Sequence, residues 1–281
     1  MGIKTLGGKQ YWTDRLVVSG YRVQEHVRFG RVRVLGPDDR RLHTGTSRQE
    51  ARAVFEAEVP RPQCARRHLV VLLHGYGGSA TSMNALRDAA RAGGFAAETL
   101  NYPSYFRNVE EVVSSVAAAV VDSATYRGDI STVSLVGFSM GGLVARSVVT
   151  RLAQLRNAPR IGRIATIGTP HRGSPIAALA GWLTPIGGPN IVELQERNRR
   201  ELSAPNVRFG VVGGSGHTNG WTLLGAVGDG DGVVELSSSV IPGAEDKLVA
   251  PRVKHGKLPA DPTVVAGVVR YLDTGRFGAP Q

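Results

Sequence analysis

The chain has 281 residues, 42% hydrophobic and 20% charged, which suits a folded protein of one large domain or a domain with an appendage. A single cysteine, Cys64, excludes an internal disulfide and a cysteine-based metal site, and no apolar run is long enough to cross a bilayer. The net charge of +11 comes from basic residues spread along the chain, without the run or module that nucleic-acid binding would show; it is compatible with weak attraction to anionic surfaces.

The first ten residues lack the apolar stretch and cleavage site of a secretory signal, so a cytoplasmic location is expected unless a leader has been removed. Residues 1–65 read as an extension. Tyr21 to Leu35 alternates apolar residues with Arg28, Arg31 and Arg33, predicting a hairpin, and Pro37-Asp38-Asp39 predicts a turn. Ser47 to Glu58 reads as a short helix, closed by Pro60 and Pro62. Large apolar residues are too few here for a separate core, so the extension is expected to pack on the edge of the sheet of a main domain, 66–281.

From His68 the pattern changes. His68 to His74 is a continuous apolar run, as in a strand buried on both faces. Further strands are predicted at Ala96–Leu100, Thr132–Val136, Arg163–Ile167 and Val207–Val212, with an extended stretch at Val233–Leu236. Helices are predicted at Thr81–Ala92, Asn108–Ala124, Leu143–Leu155 and Thr263–Leu272. This alternation predicts an α/β fold: a mostly parallel central sheet with helices on both faces and ligands at the carboxyl ends of the strands.

One turn carries the chemistry. Gly137-Phe138-Ser139-Met140-Gly141 follows a predicted strand and opens a helix, the sharp bend needed to raise a serine above a sheet. A serine hydroxyl needs a histidine to take its proton and an acid to orient that histidine, and on such a turn they follow in the order acid, then histidine. Only His171, His217 and His255 come after Ser139. No acid lies between Ser139 and His171, and His217 precedes the acidic loop; His255, in a short loop before the last helix, satisfies the order. For the acid, Asp229 and Asp231 share a glycine-rich loop, and Asp231 is favoured because Val233-Val234 can anchor it. Asp246 and Asp261 are fallbacks, and a calcium loop at 228–232 lacks the later ligands it would need. Backbone donors to a developing oxyanion are expected from Met140 and from Tyr76 in the run His74-Gly75-Tyr76-Gly77-Gly78.

These residues, with Asn101-Tyr102-Pro103-Ser104 and Thr169-Pro170-His171-Arg172-Gly173-Ser174, resemble bacterial lipases and esterases of the α/β-hydrolase superfamily, near the triacylglycerol-lipase-like members. The resemblance spans about residues 68–275 with its motifs in order, while residues 1–65 have no counterpart. It implies a Ser139–Asp231–His255 triad, an oxyanion hole at Tyr76 and Met140, and cleavage of a small-molecule or lipid ester through an acyl-serine, with no cofactor and no metal. Ser174 to Asn206 is too short for a large lid, which favours an open esterase site. His74, His171, Trp182 and Leu183 are candidates for the substrate pocket, though His74, Trp182 and Leu183 also suit ordinary packing. Thioester or amide cleavage and acyl transfer use the same triad, and an idle fold acting as a binding module is the alternative from another class.

Overall fold

The computed structural model describes residues 10–105, 107–173, 208–218 and 228–278. Four strands come first, β1 (Trp12–Val18), β2 (Tyr21–His26), β3 (Val32–Leu35) and β4 (Arg41–Gly45), followed by helix α1 (Arg48–Glu58). They form their own antiparallel sheet in chain order, rather than extending the central one. One side carries an apolar cluster in which Leu16, Val18, Val23 and Val34 meet Phe55 of α1 and Tyr126. Val17 enters the core of the central sheet, and polar groups are buried beside it. Asp14 accepts from Arg22 at 2.5 Å, from the Gln24 amide at 2.7 Å and from the Asn101 N–H at 2.7 Å. Arg22 also donates to the Thr99 carbonyl at 2.9 Å, so a satisfied ionic seam joins this sheet to the residues around Asn101.

The central sheet contains β5 (His68–Leu73), β6 (Ala96–Leu100), β7 (Thr132–Phe138), β8 (Arg160–Ile167), β9 (Phe209–Ser215) and, after the two-residue strands β10 (His217–Thr218) and β11 (Asp229–Gly230), β12 (Asp246–Pro251). Its order is β12-β9-β8-β7-β5-β6, all parallel. Side chains of a strand alternate between faces, and β5 shows both being buried. Leu69, Val71 and Leu73 enter the core under helices α3 (Val109–Arg127) and α4 (Met140–Ala153), while Val70 and Leu72 enter the core under α2 (Asn84–Ala92) and the C-terminal helix. That last helix, Pro262–Thr274, is α6; a four-residue helix α5 occupies Leu236–Ser239. The stretch expected to be extended at Val233–Leu236 instead turns into α5, because the carboxylate of Asp231 captures the N–H groups of Val233 and Val234. Among the described residues no helix is long and apolar enough to cross a membrane.

Candidate active site

β7 and α4 meet at Ser139, whose backbone sits at φ 52°, ψ −123°, a conformation that side-chain-bearing residues rarely adopt and that costs of order 1–3 kcal/mol. The flanking glycines are required by space. A Cβ on Gly137 would lie 2.3 Å from the Gly141 carbonyl oxygen, and one on Gly141 would lie 2.4 Å from that of Leu73. The turn is held by the Ser139 N–H donating to the Ile167 carbonyl at 2.8 Å. Sequence and geometry thus agree on why glycines stand on both sides of the serine.

Three side chains converge here. His255 Nε2 lies 3.0 Å from Ser139 Oγ, and His255 Nδ1 lies 2.7 Å from Asp231 Oδ2. The second carboxylate oxygen of Asp231 accepts from the N–H groups of Val233 and Val234 at 2.9 and 2.8 Å. Asp231 is 1% exposed, so its lone pairs are met by protein donors. With Nδ1–H donating to the carboxylate, the Nε2 lone pair faces Ser139 Oγ. The Phe138 ring packs 4.8 Å from the imidazole and limits its rotation.

The other acids lie elsewhere. Asp229 is exposed and accepts the Gly216 N–H at 2.6 Å. Asp246 starts β12 and accepts the Phe277 N–H, and Asp261 caps α6 through the N–H groups of Thr263 and Val264. Among the described residues no group of His, Cys, Asp and Glu could hold a metal ion.

The loop after β5 comes against the serine: a Cβ on Gly75 would lie 3.1 Å from Ser139 Cβ. Tyr76 follows and packs on Tyr105, with ring centroids 4.3 Å apart. The Gly77 N–H donates to Ser104 Oγ at 2.9 Å. Gln10 holds this rim from outside, its amide donating to the Gly78 carbonyl at 2.9 Å and accepting from Ser104 Oγ and the Tyr105 N–H, both at 3.1 Å. Met140, the first residue of α4, is buried directly after the serine.

Two histidines considered for the substrate pocket are interior residues instead. His74 is 1% exposed, stacks on Tyr102 at 4.2 Å, donates from Nδ1 to the Gly75 carbonyl and accepts the Tyr102 N–H at Nε2. Burial pushes its pKa down to about 4. His171 is 0% exposed, lies between Thr166 Oγ1 at 3.0 Å and Arg146 Nη1 at 3.2 Å, and is pushed down to about 3 by burial and then by Arg146. Both ring nitrogens of each are engaged by protein groups, and both rings are buried. Trp182, Leu183 and the Ser174–Asn206 stretch lie outside the described residues.

Gly168, which sequence reasoning did not single out for chemistry, has φ +53° and backs the Asp231–His255 contact: a Cβ there would stand 3.1 Å from both Asp231 Oδ2 and His255 Nδ1. Its signal was its place directly after a strand, at the start of the Gly-Thr-Pro-His segment.

A parallel sheet with helices on both faces and a serine raised on the turn after its strand defines the α/β-hydrolase fold, and this chain has it. Residues 64–178 match the family model described as "Putative serine esterase (DUF676)". No curated protein matches the sequence. Among solved structures, the chain is similar to the monoacylglycerol lipase of Paleococcus ferrophilus, at 14% identity over 73% of this chain and 93% of that one, TM-score 0.52. It is also similar to a soluble variant of the Saccharomyces cerevisiae monoglyceride lipase in complex with a substrate analogue, at 14% identity over 78% and 90%, TM-score 0.51. A third likeness, to the 2-hydroxy-6-oxo-6-phenylhexa-2,4-dienoate hydrolase of Rhodococcus sp. strain RHA1, has 14% identity over 93% and 98%, TM-score 0.50. At such identities the likeness is one of fold. The fold and the family match together support a hydrolase.

Proposed function

We propose that this protein hydrolyses carboxylic esters of small molecules or lipids through an acyl-Ser139 intermediate. The observation carrying this reading is the relay of 3.0 Å from Ser139 Oγ to His255 Nε2 and 2.7 Å from Nδ1 to Asp231. In the first half-reaction Ser139 Oγ attacks the ester carbonyl carbon and its proton passes to Nε2. Asp231 stabilises the imidazolium so formed and fixes the tautomer. The carbonyl oxygen becomes an oxyanion, for which the N–H groups of Met140 and Tyr76 are the donors we infer, each contributing roughly 3 kcal/mol to such a transition state. Collapse breaks the C–O bond and the alcohol leaves with the proton from Nε2. Water then repeats the sequence: His255 takes its proton, the hydroxide attacks the acyl carbon, and Ser139 leaves reprotonated with release of the acid. Besides the ester and water, each step uses Ser139, His255, Asp231 and the two backbone N–H groups.

The test is labelling by an activated fluorophosphonate together with turnover of nitrophenyl esters of increasing chain length. The native protein should label at Ser139 and hydrolyse esters, and Ser139→Ala, still folded, should do neither. An unlabelled native protein would point to an idle fold used for binding, and a folded Ser139→Ala variant with undiminished turnover would reject the serine.

A further inference from the structure

β7 carries Ser139 at its carboxyl end. Its other end, about 20 Å away at the rise of an extended strand, opens into a cleft of about 320 Å³. Basic side chains line much of it: Arg160 and Arg163 at the start of β8, and Arg208 just before β9, with His68, Thr132 and Asp273 also in the wall. Parallel neighbours in register bring these arginines together, for the N–H of Ile164 donates to the Arg208 carbonyl at 3.0 Å.

Among the described residues, the acids nearby are already engaged. Asp273 pairs with Arg66 at 2.5 Å, and Glu245 lies 3.8 Å from Arg163 and accepts the Tyr271 hydroxyl. Among the described residues, the four guanidiniums of Arg66, Arg160, Arg163 and Arg208 stand against these two carboxylates, a surplus of two positive charges. Arg163 donates to the carbonyls of Leu272 and Asp273, yet its Nε is buried without a hydrogen bond. Arg160 has one long bond, 3.3 Å to Thr132 Oγ1, and among the described residues none is formed by the Arg208 guanidinium. Like charges held together without a counter-charge are unfavourable, and forked guanidinium donors match tetrahedral oxyanions.

We propose that this cleft is a second binding site, separate from Ser139, for a ligand bearing a phosphate group, held by Arg160 and Arg208 with the remainder of the ligand in the cleft. The surplus charge matches a phosphate dianion, where one carboxylate would leave half of it unmet. The volume exceeds that of a free phosphate ion and leaves room for the organic part of a phosphate monoester or of an anionic lipid headgroup. His68 senses the same field: burial first, then Arg163, Arg160 and Arg66, lower its pKa to about 4, with Asp273 opposing.

The experiment titrates the full chain with glycerol 3-phosphate at low salt by calorimetry, with glycerol as control. In parallel, sedimentation is measured with phosphatidylcholine vesicles with and without phosphatidic acid. The double variant Arg160→Gln/Arg208→Gln, both sites exposed, is run beside the native chain. Saturable binding of glycerol 3-phosphate, weakened about tenfold or more in the variant, assigns the site to a soluble ester. Sedimentation with phosphatidic acid vesicles alone, lost in the variant, assigns it to a lipid headgroup. In either case the nuclear magnetic resonance titration of His68 should move to higher pH on saturation, while the melting temperature without ligand and nitrophenyl ester turnover stay at native values. Absence of both kinds of binding, binding equal in the variant, or an unmoved His68 titration would overturn the proposal. None of these readouts depends on Ser139.

Discussion

Asp231 holds His255 twice. Its carboxylate lies 2.7 Å from the Nδ1 of His255, and its backbone carbonyl accepts the His255 N–H at 3.0 Å. The loop therefore positions the imidazole through the main chain even where the side-chain bond is changed. Asp231→Asn should keep its fold and its KM while kcat falls by roughly 10³–10⁴, since an amide favours the wrong tautomer. Asp229→Asn loses only an exposed turn contact and should retain turnover within a few-fold. Parallel kinetics on the two variants check this, and the reverse ranking would reassign the acid.

Gly168→Ala should damage the same pair from behind. The substitution places a methyl group against both Asp231 Oδ2 and His255 Nδ1 at a positive φ that costs an alanine about 1–2 kcal/mol. A displacement of that pair approaching 1 Å would lower kcat about 10²-fold. The measurement is kcat against melting temperature: a drop in stability with native kcat would show that the pair tolerates the methyl.

Acid stability should follow the buried histidines. His171 titrates near 6.5 when unfolded and at about 3 when folded, so the unfolded chain binds the extra proton between those values. Its contribution is complete above pH 6.5 and is lost as pH falls toward 3. His171→Gln should reduce the slope of unfolding free energy against pH by about 1.4 kcal/mol per unit in this window. Urea melts from pH 7 to 4 on both chains read the difference, and parallel curves would contradict it.

Arg22→Ala should be severe. It leaves the buried Asp14 carboxylate without its cation, which typically costs about 3–5 kcal/mol. We further expect residues 1–65 and 66–281 to unfold together, because Arg22, Asp14, Thr99 and Asn101 form one seam. Circular dichroism and tryptophan fluorescence followed on one thermal ramp should give a single midpoint; two midpoints would mark the extension as an independent unit.

How much of this was legible in the sequence depended on what each residue's neighbours reveal. Leu69 to Leu73 announced a buried strand because both alternating sets are apolar, and the glycines around Ser139 announced the bend because no side chain fits there. β12 was missed, since Asp246-Lys247-Leu248-Val249-Ala250-Pro251 lies on the sheet edge and mixes charge with apolar residues. The seam of Asp14, Arg22 and Gln24 was missed because a strand with alternating charges reads as half-solvated, and only the meeting with β6 buries it. His74 and His171 looked available for ligands because a sequence does not show whether a ring faces a cavity or a neighbouring strand. The cleft arginines are scattered over the chain at 160, 163 and 208, so no local run betrayed them.

The Gln10 amide ties the loop at Gly78 to the loop at Ser104 and Tyr105. The spacing of these two loops, one of which carries Tyr76, is thus set in part by a residue adjoining β1. A shift of the first sheet against the second would therefore reach the loop that carries Tyr76 through the Gln10 side chain. Gln10→Ala, which leaves the Asp14–Arg22 seam whole, would loosen these loops without the loss of stability expected of Arg22→Ala.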